Sequence, residues 1–232
     1  KFLTLFLVVL NTFASEVSLD IGQTETLFNR ISIPKSEQDQ LSLPKGDSIT
    51  SYRLTSYFDL DSGNQIYFLY APLEVQYKFN SDKSFTFNDT DFTANTDTTF
   101  NYKFNSYRLG YLWTWTKSAL RYWLGVVGKI RDANTEVIQG NTSDNFSNVG
   151  FVPLGAFGFE YNINNSLSLF SHTDALGSSR GSAYDSQLEL RYNTSSLSFS
   201  AGKRILGCGA DNDTVYNFSQ FDTYYLRTTI NY

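Results

Sequence analysis

The final stretch of the chain, SQFDTYYLRTTINY (residues 219–232), decides the fold class. Every second residue counted back from Tyr232 is mostly apolar or aromatic, as Leu226 is, whereas the alternate positions are mostly polar, as Arg227 is. Successive side chains of a β-strand point to opposite faces, so a period of two predicts a strand with two unlike faces. The stretch is therefore predicted to be a strand that meets an apolar environment on one side.

The first stretch, KFLTLFLVVLNTFASEV (1–17), has the layout of an export signal. A positive residue precedes a short apolar run over residues 2–10, and small residues lead up to a cleavage site after Ala14. The run is too short for a membrane-spanning helix, which needs about 20 apolar residues. We expect a signal peptide over residues 1–14 and one mature domain over residues 15–232.

A strand that ends on an aromatic residue, in a chain with an export signal, resembles the signal by which Gram-negative outer-membrane barrels are recognised for assembly. The rest of the chain repeats the strand pattern, most clearly in YDSQLELRY (184–192), although a soluble β-sandwich would also alternate. The predicted strands cover about residues 16–24, 49–60, 65–79, 99–115, 119–132, 149–162, 166–175, 183–193, 196–206 and 219–232.

The connectors between these strands alternate in length and favour the membrane alternative. Short turns such as 61–64 alternate with connectors rich in Asp, Asn, Ser and Thr, over residues 25–48, 80–98, 133–148, 176–182 and 207–218. Outer-membrane barrels have short periplasmic turns and longer extracellular loops, and lipid cannot satisfy an open sheet edge. The sequence therefore predicts an all-β fold, a transmembrane antiparallel up-and-down β-barrel of about ten strands, in the outer membrane of a Gram-negative bacterium.

Composition narrows the possible functions. The 232 residues include 20 Phe, 16 Tyr and 3 Trp but 1 His, 1 Cys and no Met, and the net charge is −5. One Cys excludes a disulfide scaffold, one His excludes a His-rich zinc site, and the acidic balance argues against nucleic-acid binding. No metal site and no cofactor are expected. The aromatic residues predicted to form girdles near the short turns are Phe58, Tyr67, Tyr111, Trp113, Trp115, Tyr122, Phe159, Tyr161, Tyr192 and Tyr232.

One aromatic group does not fit the girdle assignment. Phe100, Tyr102 and Phe104 have the opposite parity to Tyr107 in the same predicted strand. Either a bulge near residues 105–106 shifts the register, or these rings line the mouth of the lumen.

Several stretches carry a family resemblance: YFLYAPLEVQ (67–76), YKFNSYRLGYLW (102–113), GVVGKIRDANTEV (125–137), GFVPLGAFGFEY (150–161), DALGSSRGSAYD (174–185) and GADNDTVYNFSQF (209–221). They resemble a family of small Gram-negative outer-membrane β-barrel proteins, over roughly residues 50–232. The resemblance implies a fold and a location, and it implies no catalytic residues.

The polar faces of the strands place many charges inside the predicted barrel. An isolated charge in a dry interior costs several kcal/mol, so these side chains should pair or meet water. A fixed ion-pair network that fills the lumen is the main interpretation, and a narrow polar conduit is the alternative. The predicted lumen residues are Arg53, Glu74, Arg108, Arg121, Lys129, Arg131, Glu160, Asp185, Glu189, Arg191, Arg204 and Arg227.

His172 is the one candidate for acid–base chemistry near neutral pH. In a flat strand it shares a face with Asp174, whereas Ser171 and Thr173 point to the opposite face, which is unfavourable for a Ser–His pair. Outer-membrane lipid A deacylases place the hydroxyl two residues after the His, where this chain has Asp174. Omptin proteases use an Asp/His couple together with further acidic residues, which the sequence does not locate.

These observations lead to two functional hypotheses. The main one is a non-enzymatic barrel with a structural or surface-interaction role, or one that allows limited passage of small solutes. The alternative is a membrane-embedded hydrolase, deacylase-like or omptin-like, that uses His172 and Asp174. The expected partners are outer-membrane lipid, lipopolysaccharide and the barrel assembly machinery, which would read the strand ending at Tyr232; nucleic acid is not expected.

Overall fold

The computed structural model describes residues 15–37, 39–179 and 181–232, so the predicted signal peptide lies outside the described residues. The described chain closes into one antiparallel barrel and does not form the two packed sheets of a soluble sandwich. Within these ranges no helix is long and apolar enough to cross a membrane. The strands are β1 (Glu16–Ser32), β2 (Leu41–Leu43), β3 (Ile49–Asp59), β4 (Gln65–Ala71), β5 (Glu74–Asn80), β6 (Phe85–Phe87), β7 (Thr90–Phe92), β8 (Asp97–Lys117), β9 (Leu120–Gln139), β10 (Thr142–Asn162), β11 (Leu167–Ser178), β12 (Gly181–Asn193), β13 (Leu197–Asp211) and β14 (Tyr216–Asn231).

The barrel wall has ten strand positions, which confirms the predicted count. β2 and β3 share one position beside β1, β4 and β5 share another beside β8, and the remaining strands follow in chain order. β14 returns to β1, with pairs from Glu16↔Asn231 to Ser32↔Tyr216. This last pairing closes the sheet and removes its long edges, as a lipid environment requires.

Several predicted long connectors are mostly strand. β9 and β10 continue through residues 133–148 to a tight turn at Gly140, whose φ of 58° suits glycine. β11 and β12 likewise take up most of 176–182, and β13 and β14 leave a short turn in 207–218. The prediction of long loops was wrong there because the outward side chains of 133–148, such as Asn134 and Glu136, are polar, and the other two stretches contain several glycines, so the expected apolar alternation is missing.

The long strands invert their polarity along their length. We call the half of the barrel next to the short turns the lower half and the opposite half the upper half. In the lower half of β9 the outward side chains are apolar, and Leu124 and Val126 are each 57% exposed. In the upper half the outward positions hold Asp132 and Glu136, while the inward Val137 is buried. Lipid surrounds the lower half and water the upper half, so the apolar face moves from outside to inside although the side chains keep alternating.

This inversion explains the parity of Phe100, Tyr102 and Phe104. β8 pairs with β9 in one continuous register from Thr99 to Lys117, so the strand contains no bulge. All three rings point inward and are buried. Of the two alternatives that the sequence left open, the second is therefore right, and the rings line the upper lumen.

An apolar core fills this upper lumen. The small β6–β7 hairpin lies against it and contributes Phe85, Phe87 and Phe92, with the Phe87 ring 5.9 Å from that of Phe100. Burial of one such ring contributes about 1.5–3 kcal/mol. The core comprises Ile31, Ile33, Leu41, Leu43, Leu73, Val75, Tyr77, Phe85, Phe87, Phe92, Phe100, Tyr102, Phe104, Val137, Leu206 and Phe221.

The aromatic side chains near the short turns include exposed rings on the outer surface. Trp115 stacks on Tyr122 with ring centroids 5.6 Å apart, and Trp113 is also exposed. The girdle assignment of Tyr67 was wrong, because this residue is 0% exposed and lies inside the lumen. β4 is apolar on both faces, so its sequence did not indicate which face turns outward.

Candidate functional site

The polar side chains of the lower lumen form two buried ion-pair networks, which β12 connects. Asp185, Gln187 and Glu189 follow one another on the inward face of β12, because inward positions recur every two residues. Asp185 belongs to the upper network, Glu189 to the lower one, and Gln187 lies between them. All three side chains are buried.

In the upper network one arginine joins two aspartates. Arg108 of β8 places Nη1 2.7 Å from Oδ2 of Asp174 and Nη2 2.6 Å from Oδ2 of Asp185. Arg204 of β13 donates to Asp185 through Nε at 2.7 Å and Nη2 at 2.8 Å. The hydroxyl of Tyr67 donates a hydrogen bond to Oδ2 of Asp174. Each carboxylate therefore meets several donors, as a charge in a dry interior requires.

His172 is part of this network, and both of its ring nitrogens are engaged. Nε1 of Trp123, which can only donate, lies 3.0 Å from Nδ1 of His172. The proton of the imidazole is therefore on Nε2, which lies 2.9 Å from Oδ1 of Asp174. His172 is 2% exposed. The two residues that the sequence suggested as catalytic do meet, but the ring offers no nitrogen to a nucleophile or a substrate.

In the lower network Arg227 of β14 joins two carboxylates. Its Nε and Nη2 lie 2.5 and 2.9 Å from the two carboxylate oxygens of Asp20, and Nη1 lies 3.0 Å from Oε1 of Glu189. Arg191 donates to the same Oε1 at 2.5 Å, and the hydroxyl of Tyr225 donates to Oε2 at 2.6 Å. Arg227 of β14 thus joins β1, through Asp20, and β12, through Glu189, from the inside of the wall.

Gln187 links the two networks. Its Oε1 accepts from Nη1 of Arg53 at 2.5 Å and from Nη2 of Arg227 at 3.2 Å. An apolar cluster packs within the same part of the lumen, and Arg191 stacks on its Phe170 with 3.6 Å between the guanidinium carbon and the ring centroid. The cluster comprises Tyr57, Tyr67, Leu69, Ala71, Leu112, Trp123, Val127, Leu154, Ala156 and Phe170.

Most of the predicted lumen residues lie in or beside these networks. Glu160 lies at the edge of the lower network, 3.7 Å from Arg191, and Arg121 lies 3.4 Å from Asp59 near the short turns. The predicted residues inside the networks are Arg53, Arg108, Asp185, Glu189, Arg191, Arg204 and Arg227.

Three other predicted lumen residues lie outside the networks. Lys129 and Arg131 of β9 line a cavity at the wall of the barrel. Glu74 does not lie in the lumen as predicted. It is exposed on the outer face of β5, whereas Val75 and Tyr77 are buried inside. β5 lies in the upper half, where the apolar side chains face inward, so the rule that placed polar residues in the lumen fails there.

The networks also contain residues that were not among the predicted set. Asp20 and Tyr225 complete the lower network, and Gln187 bridges the two. Each lies in a predicted strand at an inward position, and Tyr225 alternates with Arg227. Their signal was parity alone, because the partners come from strands far apart in the sequence.

The described ranges contain no group of three or more His, Cys, Asp or Glu side chains arranged to hold a metal ion. The inward carboxylates are occupied by arginine side chains. The Cys208 thiol contacts the Ser219 hydroxyl at 3.0 Å. Among the described contacts, none joins Cys208 to His172. The site therefore consists of buried ion pairs that join the strands of a closed interior.

Comparison with known proteins gives information on the fold alone. No family model matches the chain, and no curated protein matches it. Among solved structures, the outer membrane protease OmpT from Escherichia coli has a TM-score of 0.62 at 8% identity, covering 94% of this chain and 97% of that one. Neisserial surface protein A gives 0.38 at 12% identity over 94% and 96% of the chains. Ail of Yersinia pestis gives 0.39 at 10% identity over 94% and 99%.

At 8% identity the similarity to OmpT is one of fold, and it transfers no activity. The closed antiparallel wall has an apolar outer belt, and its lumen is filled with paired charges. An apolar outer face and a polar interior are what a barrel in a bilayer requires. The chain has the fold of a Gram-negative outer-membrane β-barrel, and its apolar belt agrees with a location in that membrane.

Proposed function

We propose that this protein is a non-enzymatic outer-membrane barrel with a closed lumen, which presents its extracellular hairpins for surface interaction. The observation that carries the proposal is the burial of the lumen side chains. Arg108, Arg227 and Tyr67 are among the largest fully buried side chains of the described residues. A conduit would expose its lining to water, whereas these groups are enclosed by protein partners.

A closed lumen is also supported by two groups of packed side chains that follow each other along the barrel axis. The ion-pair networks occupy the lower lumen, and the aromatic core occupies the upper lumen. A solute would have to break several buried ion pairs and displace packed rings, each at a cost of several kcal/mol. Limited passage of small solutes is therefore the less favoured form of the main hypothesis.

Planar-bilayer conductance tests the closed lumen. We expect the refolded protein to insert without discrete ion-conducting steps. The double variant Arg227→Ala/Glu189→Ala removes the centre of the lower network and serves as a comparison, with heat-modifiable gel migration as the check that both proteins fold. Reproducible conductance steps in the unaltered protein would reject the closed lumen and favour small-solute passage.

The hydrolase alternative is not favoured by the geometry around His172. Trp123 and Asp174 take up its two nitrogens, and the Ser171 hydroxyl donates instead to the backbone oxygen of Gln187 at 3.1 Å. Incubation of the pure protein with lipid A or with peptides should leave both intact. Hydrolysis that occurs in the unaltered protein and disappears in His172→Gln would overturn the non-enzymatic proposal.

The proposed partners are outer-membrane lipid and lipopolysaccharide around the belt, and the assembly machinery at β14. The outward residues of β14 include Leu226 and Ile230, which are strongly exposed, and β14 ends next to Tyr232. We expect Tyr232→Ala to lower the amount recovered in the outer membrane of cells while refolding in detergent is unchanged. Equal recovery in cells would count against this role for Tyr232.

A further inference from the structure

The barrel wall contains a lateral gap between β10 and β11. The two strands pair from Gly155↔Ala175 to Asn162↔Ser168, and above Gly155 no ladder pair joins them in the described chain. β10 continues upward through Pro153, which has no N–H to donate, while it remains paired with β9. Phe151 next to this stretch is 69% exposed on the outer face, so the gap opens at the level of the apolar belt.

A cavity of about 190 Å³ lies behind the gap and contains two cationic side chains. Lys129 is 2% exposed, and its Nζ lies 4.6 Å above the ring of Phe104. Among the described residues it forms no salt bridge within 4.0 Å. Arg131 lies two residues further on the same face, and its buried Nε has no hydrogen-bond partner in the described structure.

No acidic side chain among the described residues pairs with Lys129 or Arg131. The acidic side chains of the neighbouring upper network, Asp174 and Asp185, are already bound by Arg108, Arg204 and the other network donors. Burial of an ammonium group without a counter-charge costs several kcal/mol, whereas a bound anion would offset much of that cost. The cavity is therefore complementary to a negatively charged group.

An apolar groove continues the cavity on the outside of the barrel. Its volume is about 600 Å³, and its lining includes Leu109, Val126, Phe151 and Pro153. Leu176 lines both the groove and the inner cavity, so the two meet at the gap. A hydrocarbon chain fits this groove because its walls are aliphatic and aromatic and because it lies in the lipid-facing belt.

We propose that the gap is a lateral binding site for a long-chain carboxylate, with the head group on Lys129 and Arg131 and the chain in the outer groove. The Lys129 ammonium is the one fully buried charge of the cavity, whereas Arg131 is less buried and already donates through Nη2 to Asn148. A single carboxylate would therefore neutralise the buried charge and would also accept from the unpartnered Nε of Arg131. A phosphate monoester would bring a second negative charge, which only the less buried Arg131 guanidinium could offset. The site goes beyond the surface role proposed above and does not require the lumen to conduct.

Displacement of the fluorescent fatty acid cis-parinarate from the refolded protein in non-ionic detergent tests the proposal. Palmitate should displace the probe, whereas acetate should not. Methyl palmitate should be weaker by at least roughly tenfold, since a charge-assisted hydrogen bond contributes a factor of that order. Hexadecyl phosphate is the competing head group, and tighter binding of it than of palmitate would overturn the carboxylate assignment.

Lys129→Met tests the head-group contact and should weaken palmitate about tenfold, because it removes the cavity's ammonium group. The matched control is Lys203→Met, whose side chain lies on the outer surface and pairs with Asp222 at 2.7 Å; its palmitate binding should be unchanged. Leu176→Trp keeps every charge but fills the junction, and it should abolish binding even if Lys129→Met does not fold. Unchanged palmitate binding in folded Lys129→Met, or in Leu176→Trp, would overturn the site.

Discussion

Arg108 is the residue on which the upper network depends most directly. It is buried, and it donates to both Asp174 and Asp185. Arg108→Met should lower the free energy of unfolding by about 3–5 kcal/mol, because it leaves two carboxylates facing each other with fewer donors in a dry interior. The urea concentration at which the heat-modifiable gel band is lost measures this change.

The control for this variant is Lys103→Met. Lys103 pairs with Asp132 at 2.7 Å on the outer face, where both side chains are about one-third exposed. Loss of such a surface pair should cost less than about 1 kcal/mol. Equal shifts of the unfolding midpoint in the two variants would show that the buried network does not contribute more than an ordinary surface pair.

At this scale, sequence reasoning could identify the inward charges but not their partners. Parity placed Arg227 and Glu189 on inward faces, because side chains alternate strictly within a strand. Which charges meet depends on the stagger of the strands around the closed barrel, which the sequence of one strand does not contain. Asp20 meets Arg227 although 207 positions separate them in the sequence.

The β6–β7 hairpin shows at the element scale how a polar connector can carry core residues. Phe87 is buried against the upper core, in a stretch that composition alone predicts to be a loop. Phe87→Ala should destabilise the upper barrel by about 3–5 kcal/mol, the usual cost of removing a buried ring. Limited proteolysis within residues 81–96 should accelerate accordingly. Phe28→Ala is the matched control, since that ring is 40% exposed, and equal acceleration in both variants would contradict the role of Phe87 in the core.

A contact between two extracellular hairpins should depend on pH through Asp144. Its carboxylate accepts from the Asn88 side chain and from the backbone N–H of Asp89, each at 3.1 Å. Partial burial raises the pKa of Asp144, but these hydrogen bonds outweigh it and hold the pKa below its ordinary value of 3.8. The contact is therefore at full strength above that value and is lost as pH falls below it.

Hydrogen exchange of the β6–β7 hairpin measures this dependence. We expect protection of residues 88–92 to decrease as pH falls below the ordinary carboxyl pKa of about 4, after correction for intrinsic exchange rates. Asp144→Asn should remove the pH dependence, because an amide cannot titrate and offers one acceptor oxygen in place of two. A dependence that persists in Asp144→Asn would assign the effect to another group.

For the whole molecule, the strand count and the antiparallel closure could be predicted because period-two alternation and turn spacing survive in the sequence. The polarity inversion could not be predicted with the same rule. That rule assumes an apolar outer face, and Glu74, Tyr102 and the connector over 133–148 all break it above the membrane. The three discrepancies therefore have one cause. The barrel is taller than the bilayer, and at its upper end the outer face is polar and the inner face is apolar.

The inversion also predicts where the membrane ends on the outer surface. Asn145, Phe151 and Phe157 all point outward from β10, and the last two belong to the apolar belt. In a Cys208→Ser background reconstituted into vesicles, a water-soluble maleimide should label Asn145→Cys rapidly and should label Phe151→Cys and Phe157→Cys at least about tenfold more slowly, because the hydrocarbon layer excludes it. All three should react equally once the protein is unfolded in urea, which controls for thiol reactivity. Rapid labelling of Phe151→Cys in vesicles would move the boundary below the lateral gap and separate that gap from the lipid.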